Sequence, residues 1–143
     1  MPYPQRILVA LSGGVDSTVA ALLLKEAGVE VAGAYFRTWM HEASPIADCP
    51  WQAERDSAQA AAQALGIPFE VINWVEAYKS HVVEALVNGY RQGETPNPDA
   101  LCNRHIKFGV FVDYAQKQGF DAIATGHYCQ KTEGPEGPRL WEG

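Results

Sequence analysis

Short apolar runs alternate with longer stretches of helical spacing along this chain. Arg6–Leu11 holds Ile7, Leu8 and Val9 in succession and predicts a buried strand. Asp16–Ala27 predicts a first helix, stopped by Gly28, the residue type best suited to a left-handed helix C-terminus. Val29–Phe36, mixed apolar and rich in branched and aromatic residues, predicts a second strand. Thr38–Pro50 contains two prolines and no period, and reads as an irregular surface excursion. Gln52–Leu65 is alanine-rich and helical, ended by Gly66 and Pro68; Phe69–Trp74 follows as a third strand and Glu76–Arg91 as a third helix. Gly93–Leu101, with two prolines, predicts a loop. Cys102–Gln118 predicts a fourth helix with Ile106, Phe108, Val110, Phe111 and Tyr114 at its apolar positions, and Asp121–Thr125 a fourth strand ahead of Gly126-His127. The tail beyond Tyr128 is rich in Gly, Pro and Glu; no helix or strand is expected to close it, although Leu140-Trp141 marks the start of a further strand.

Strands separated by helices predict parallel βαβ units with right-handed crossovers, hence an α/β fold with an open, doubly wound parallel sheet. Ligands of such sheets bind beyond the carboxyl ends of the strands. That rule gathers residues 12–17, the segment after Phe36 and Gly126-His127 on one edge. The 143 residues suffice for one domain with its own core, and 47% apolar against 20% charged residues is ordinary for a globular chain. A net charge of −6 argues against a strongly basic nucleic-acid footprint, so an RNA partner would need a local patch or a further domain. Cys49, Cys102 and Cys129 are too few and too scattered for a disulfide framework, and they lack the CxxC spacing of a zinc site. No apolar run approaches a membrane span and no signal-peptide pattern opens the chain, so the expected compartment is the cytoplasm, with reduced thiols.

The first chemical signal is Ala10-Leu11-Ser12-Gly13-Gly14-Val15-Asp16-Ser17, between the first strand and the first helix. Glycines there let backbone N–H groups approach phosphate oxygens, and the helix N-terminus adds partial positive charge. A Walker loop would carry a lysine, which is absent; Asp16 stands in the loop instead, which suits a Mg²⁺ ion bridging carboxylate and phosphate. The competing reading is a plain strand-to-helix turn capped by Asp16 or Ser17. The string Ser12–Ser17 resembles the pyrophosphate loop of the ATP-pyrophosphatase superfamily, whose members split ATP into AMP and pyrophosphate to activate a carbonyl oxygen.

The second signal is Thr95-Pro96-Asn97-Pro98-Asp99-Ala100-Leu101-Cys102-Asn103-Arg104-His105-Ile106-Lys107-Phe108. With Asp99 near a helix start and Cys102 in its first turn, the thiol is expected to have a lowered pKa, helped by Arg104, His105 and Lys107, and to serve as a nucleophile. A buried structural cysteine is the alternative on position alone. Together with Ala124-Thr125-Gly126-His127-Tyr128, these strings resemble the tRNA-specific 2-thiouridylases in order and spacing, from Arg6 onward. The resemblance implies an adenine nucleotide alpha hydrolase-like (HUP, PP-loop) catalytic domain over 1–143, lacking the connecting and β-barrel domains of the family. It assigns Ala10, Leu11, Ser12, Gly13, Gly14, Val15, Asp16 and Ser17 to the ATP phosphates, the backbone of Phe36 and Gly126 to the nucleotide, and Asp16 to Mg²⁺ through the phosphates. Asn97, Pro98 and Asp99 correspond to the segment that meets the target base, and His127 to a tRNA contact. Cys102, with Asp99, matches the catalytic position. A second cysteine, carrying persulfide sulfur and pairing with Cys102 in a disulfide, is implied beyond this chain. The implied partners are tRNA and a persulfide or sulfur-carrier donor protein.

An iron–sulfur cluster using Asp99 and Cys102 is an alternative that needs a ligand from beyond Gly143. Other functional readings are an amidotransferase-type synthetase or another tRNA thiolation enzyme, and a non-catalytic nucleotide-binding module of the universal-stress type. An ammonia-using synthetase needs no cysteine at 102, and a stress-type sensor carries its phosphate glycines late in the chain. Cys49 reads as a loop thiol, Cys129 as incidental, and His81 as a surface or boundary residue. Trp39, Trp51, Trp74 and Trp141 are stacking candidates, Trp74 being better explained by core packing. Arg91, Arg104, Lys107 and Lys117 are the local basic candidates for phosphate contact, or else a solvated helix face.

Overall fold

Strands β1 (Arg6–Ala10), β2 (Glu30–Arg37), β3 (Phe69–Asn73) and β4 (Ala122–Ala124) form one sheet in the order β3-β2-β1-β4, with every pairing parallel. The computed structural model describes residues 4–38 and 50–142. Trp39, His41 and Cys49, and with them most of the Thr38–Pro50 excursion, lie outside the described residues.

Both faces of the sheet are covered, as parallel strands require. Alternation along β1 sends Ile7 and Val9 to one face, where they pack with Val31, Tyr35, Ala21 of the first helix (Val15–Glu26), and Ala58 and Ala62 of the second helix (Pro50–Leu65). Leu8, Ala34 and Phe36 point to the other face, against Phe111 and Ala115 of the fourth helix. Aromatic contacts thicken that layer: the Phe36 ring lies 4.6 Å from both Trp74 and Phe111. The expectation of core packing for Trp74 is met, and the doubly wound α/β architecture stands.

The third helix runs through residues 75–91 and the fourth through 98–117, and each is wound in its middle as a π-helix, over Lys79–Val83 and Cys102–Val110. Two expectations are corrected. The predicted loop Gly93–Leu101 ends early, because helix begins at Pro98. Asn97 caps it, its Oδ1 accepting from the amides of Asp99 and Ala100 at 2.9 and 3.1 Å, and proline at the first position is pre-set for helix. The tail is not featureless: β5 (Cys129–Gly134) and β6 (Gly137–Glu142) form an antiparallel hairpin, with Leu140 and Trp141 inside β6. Gly137, at φ 108, turns the chain between them. Among the described residues no helix is long and apolar enough to cross a membrane.

Candidate nucleotide-binding site

The strand order reverses between β1 and β4, since β2 and β3 lie on one side of β1 and β4 on the other. The carboxyl ends of those two strands therefore open the crevice where ligands of wound sheets sit. A cleft of about 420 Å³ lies there, a volume suited to a small molecule. Its walls come from the loop Ala10–Leu11–Ser12 and Gly14–Ser17, the end of β2 (Ala34, Tyr35, Phe36), Thr38, Glu54, the fourth helix (Cys102, Ile106, Lys107) and Thr125–His127.

The loop is braced from within. Ser17 is buried; its Oγ accepts from the Ser12 amide at 3.2 Å and donates to the Gly14 carbonyl at 3.2 Å. Ser12 Oγ in turn accepts from the Gly14 amide at 3.3 Å. Gly14 is the N-cap of the first helix, and no side chain caps that helix. The capped-turn reading fails here: neither Asp16 nor Ser17 occupies the helix amides, which are left for an acceptor from outside, such as phosphate oxygen. Gly13, at φ +82, packs against the second helix rather than lining the cleft; a Cβ there would meet the Glu54 carbonyl oxygen at 2.8 Å. Gly126 brings the β4 exit onto the same loop so closely that a Cβ would lie 2.4 Å from the Ser17 nitrogen.

Phe36 lines the cleft while its ring is held in the aromatic layer. That arrangement leaves its backbone to meet a ligand. Tyr35 donates to Glu54 Oε2 at 2.9 Å, and burial followed by that hydrogen bond pushes its hydroxyl up to about 12, fixing Glu54 at the cleft wall.

Asp16 lines the cleft with no hydrogen-bond or ion-pair partner among the described residues. A single free carboxylate beside uncapped amides fits Mg²⁺, which binds through one or two carboxylates together with phosphate and water. Among the described residues no three His, Cys, Asp or Glu side chains gather as a metal-binding group.

Cys102 is a correction. It lies four residues beyond Pro98, past the first turn, and the thiol is pushed up rather than down. Burial raises it first; Lys107 pulls the other way, and Asp99 adds to the rise. Asn97, Pro98 and Asp99 are exposed outside the cleft wall. His127 is held on both ring nitrogens, by Thr125 Oγ1 at 2.7 Å and Asn103 Oδ1 at 3.1 Å, and Phe108 lies 5.4 Å from its ring. Burial, then Lys107, lowers its pKa. Glu54, Thr125 and Asn103 are not singled out as site residues by sequence, whereas Lys107 is one of its four basic candidates for phosphate contact. Lys107 is five residues from Cys102 and Asn103 five from Phe108 in a π-wound segment, a spacing that a 3.6-residue period hides.

The family described as the tRNA methyl transferase HUP domain matches residues 5–142. The chain belongs to this family. Named relatives of this HUP domain include the tRNA-specific 2-thiouridylase MnmA of Akkermansia muciniphila, 51% identical over 138 residues, which covers 96% of this chain and 39% of the relative. The 2-thiouridylase MnmA of Christiangramia forsetii is 48% identical, covering 90% of this chain and 33% of the relative. The HUP domain thus spans about a third to two fifths of the length of these relatives. Among solved structures it is similar to a predicted subunit of tRNA methyltransferase from Methanocaldococcus jannaschii, with a TM-score of 0.58 at 18% identity over 87% of this chain and 53% of that one. A glutamine-dependent NAD+ synthetase from Acinetobacter baumannii, in complex with ADP, gives 0.51 at 18% identity over 85% of this chain and 21% of that one. At these identities the two structures bear on the fold alone.

Proposed function

We propose that residues 1–143 are the ATP-pyrophosphatase catalytic domain of a tRNA 2-thiouridylase. The observation that carries this reading is the uncapped first helix and the free Asp16 facing Cys102 across one cleft at the switch point of the sheet. A nucleotide loop alone fits many chemistries; a thiol on the opposite wall narrows them to steps in which sulfur meets an activated carbon. The 42–51% identity to proteins named as tRNA-specific 2-thiouridylases supports the same choice.

In this reading ATP lies with its phosphates on the Ser12–Ser17 loop and its adenine against the backbone of Phe36 and Gly126. The C2 oxygen of a tRNA uridine attacks the α-phosphorus, and pyrophosphate leaves. Negative charge developing on the phosphates is met by the first-helix amides. Bound Mg²⁺, held through Asp16, would neutralise the same oxygens. The terminal sulfur of a protein persulfide then bonds to C2, and AMP departs with the original oxygen. Cys102 attacks the inner sulfur, freeing the 2-thiouridine and leaving a disulfide between Cys102 and the persulfide-bearing cysteine, which an external dithiol reduces. Asn97–Asp99, exposed beside Cys102, serve as the approach for the target base, with His127 near the tRNA. The partners are tRNA and a persulfide donor, and the compartment is the cytoplasm.

A chimera tests the reading: residues 5–142 replace the matching segment of the Akkermansia 2-thiouridylase, and sulfur incorporation is followed by retardation of tRNA in a mercury-containing gel. A shifted band lost on Cys102→Ser is expected. A chimera that folds, binds ATP and gives no band, or one whose band survives Cys102→Ser, overturns it.

A further inference from the structure

Cys102 and Lys107 are five residues apart. On a 3.6-residue helix that spacing turns them about 140° from one another, so one would leave the cleft as the other entered it. Cys102–Val110 is instead wound with i to i+5 hydrogen bonds, as the Phe111 amide bonded to the Ile106 carbonyl shows at its end, and residues five apart stack on one side. Both Cys102 and Lys107 accordingly line the cleft, and the next such pair, Asn103 and Phe108, grips His127. Lys107 is the only Lys or Arg among the described residues lining the cleft, and it makes no ion pair with a carboxylate there. The phosphate loop has no lysine of its own.

We propose that Lys107 is a nucleotide-binding residue, its ammonium taking the phosphate that stays with the adenosine: the α-phosphate of ATP, and then the phosphate of AMP. This rests on the adenylation reading above and adds a residue to it. The choice among the phosphates follows from placement. The reacting carbon has to lie within reach of both the α-phosphorus and the sulfur chemistry at Cys102, so a cation sharing a helix side with Cys102 stands by the α-phosphate. Pyrophosphate is left to the Ser12–Ser17 amides and Asp16-held Mg²⁺ on the opposite wall. The felt charge of Lys107 at both Cys102 and His127 agrees with an ammonium on that side of the cleft.

Calorimetry with AMP and, separately, magnesium pyrophosphate tests the assignment on wild type, Lys107→Met and Lys107→Arg. Lys107→Met should weaken AMP about tenfold, the scale of one charge-assisted hydrogen bond, and leave pyrophosphate within about twofold, while Lys107→Arg keeps most of the AMP affinity. The pH midpoint of Cys102 alkylation by iodoacetamide should rise in Lys107→Met and return in Lys107→Arg, a change that loss of packing alone would not reverse. If Lys107→Met proves poorly folded by circular dichroism, Lys107→Gln carries the same expectation. Wild-type AMP binding retained in a folded Met or Gln variant overturns the role of Lys107 and leaves the adenylation reading standing. Equal losses for AMP and pyrophosphate overturn the choice of phosphate. A wild-type chain that binds neither AMP nor ATP removes the adenylation reading and this proposal with it.

Discussion

Asp16 is the residue whose loss should separate binding from folding most cleanly. It is exposed and braces nothing in the loop, whereas Ser12 and Ser17 hold the loop shut on itself. Asp16→Ala should therefore weaken Mg·ATP binding in calorimetry by about tenfold or more with an unchanged unfolding midpoint; equal affinities would remove Asp16 from the site. Cys102 teaches the opposite lesson. Sequence pattern expects it to be the most acidic thiol, but the helix starts a turn earlier and burial raises it. Cys129 is exposed at the start of β5. Iodoacetamide near neutral pH should thus label Cys129 ahead of Cys102, as read by peptide mass spectrometry. The signal for the correction is present in Asn97-Pro98, an N-cap followed by an N1 proline. His127 carries the pH dependence. Its pKa lies below the ordinary 6.5, so the unfolded chain binds the proton more readily than the fold does. Its contribution to stability is complete above the ordinary imidazole range and fades as pH falls through the lower folded value. Urea midpoints should drop from about pH 7 to about pH 5 by less in Lys107→Met than in wild type, because that variant removes one of the two causes of the depression.

At the scale of elements, the four sheet strands were legible because each is a compact apolar run bounded by glycine, proline or polar residues. Helix existence was legible for the same reason. Helix winding was not: Lys79–Val83 and Cys102–Val110 are both π-wound, and His81 of the one stacks on His105 of the other at 5.6 Å. Apolar periodicity cannot report a backbone hydrogen-bond shift of one residue. The hairpin β5–β6 was hidden by strands that expose nearly every side chain, leaving no buried face for alternation to mark. The join between β4 and the first helix is decided by Gly126. Gly126→Ala would push a methyl onto Ser17 and Asp16 backbone atoms, which have no rotamer by which to yield. A loss of about 1–3 kcal/mol in urea unfolding is expected, with a fall in ATP affinity larger than that of Asp16→Ala if the loop is displaced. Unchanged stability would mean that the two segments part more easily than their spacing implies.

Over the whole molecule, fold class and the edge that carries the cleft followed from strand–helix alternation and the rule for wound sheets. The full inventory of the cleft did not: Lys107 stood among four basic candidates, and Glu54 and Thr125 reach the cleft from separate segments. One pairing has a consequence for how the protein is made. β1 is central in the sheet, yet its second neighbour, β4, lies 115 residues later: Ile7 pairs with Ala122 and Leu8 with Ile123, and the Gln5 and Arg6 amides donate to the Asp121 carboxylate at 2.8 and 2.9 Å. During translation, β1 and β2 leave the ribosome early and find one another, but one flank of β1 stays without a partner until β4 emerges. At about 5–20 residues per second, that interval lasts several seconds. An apolar strand with a bare edge is a template for wrong partners throughout that time. The nucleotide cleft, built on the β1–β4 junction, is accordingly among the last parts of the domain to exist.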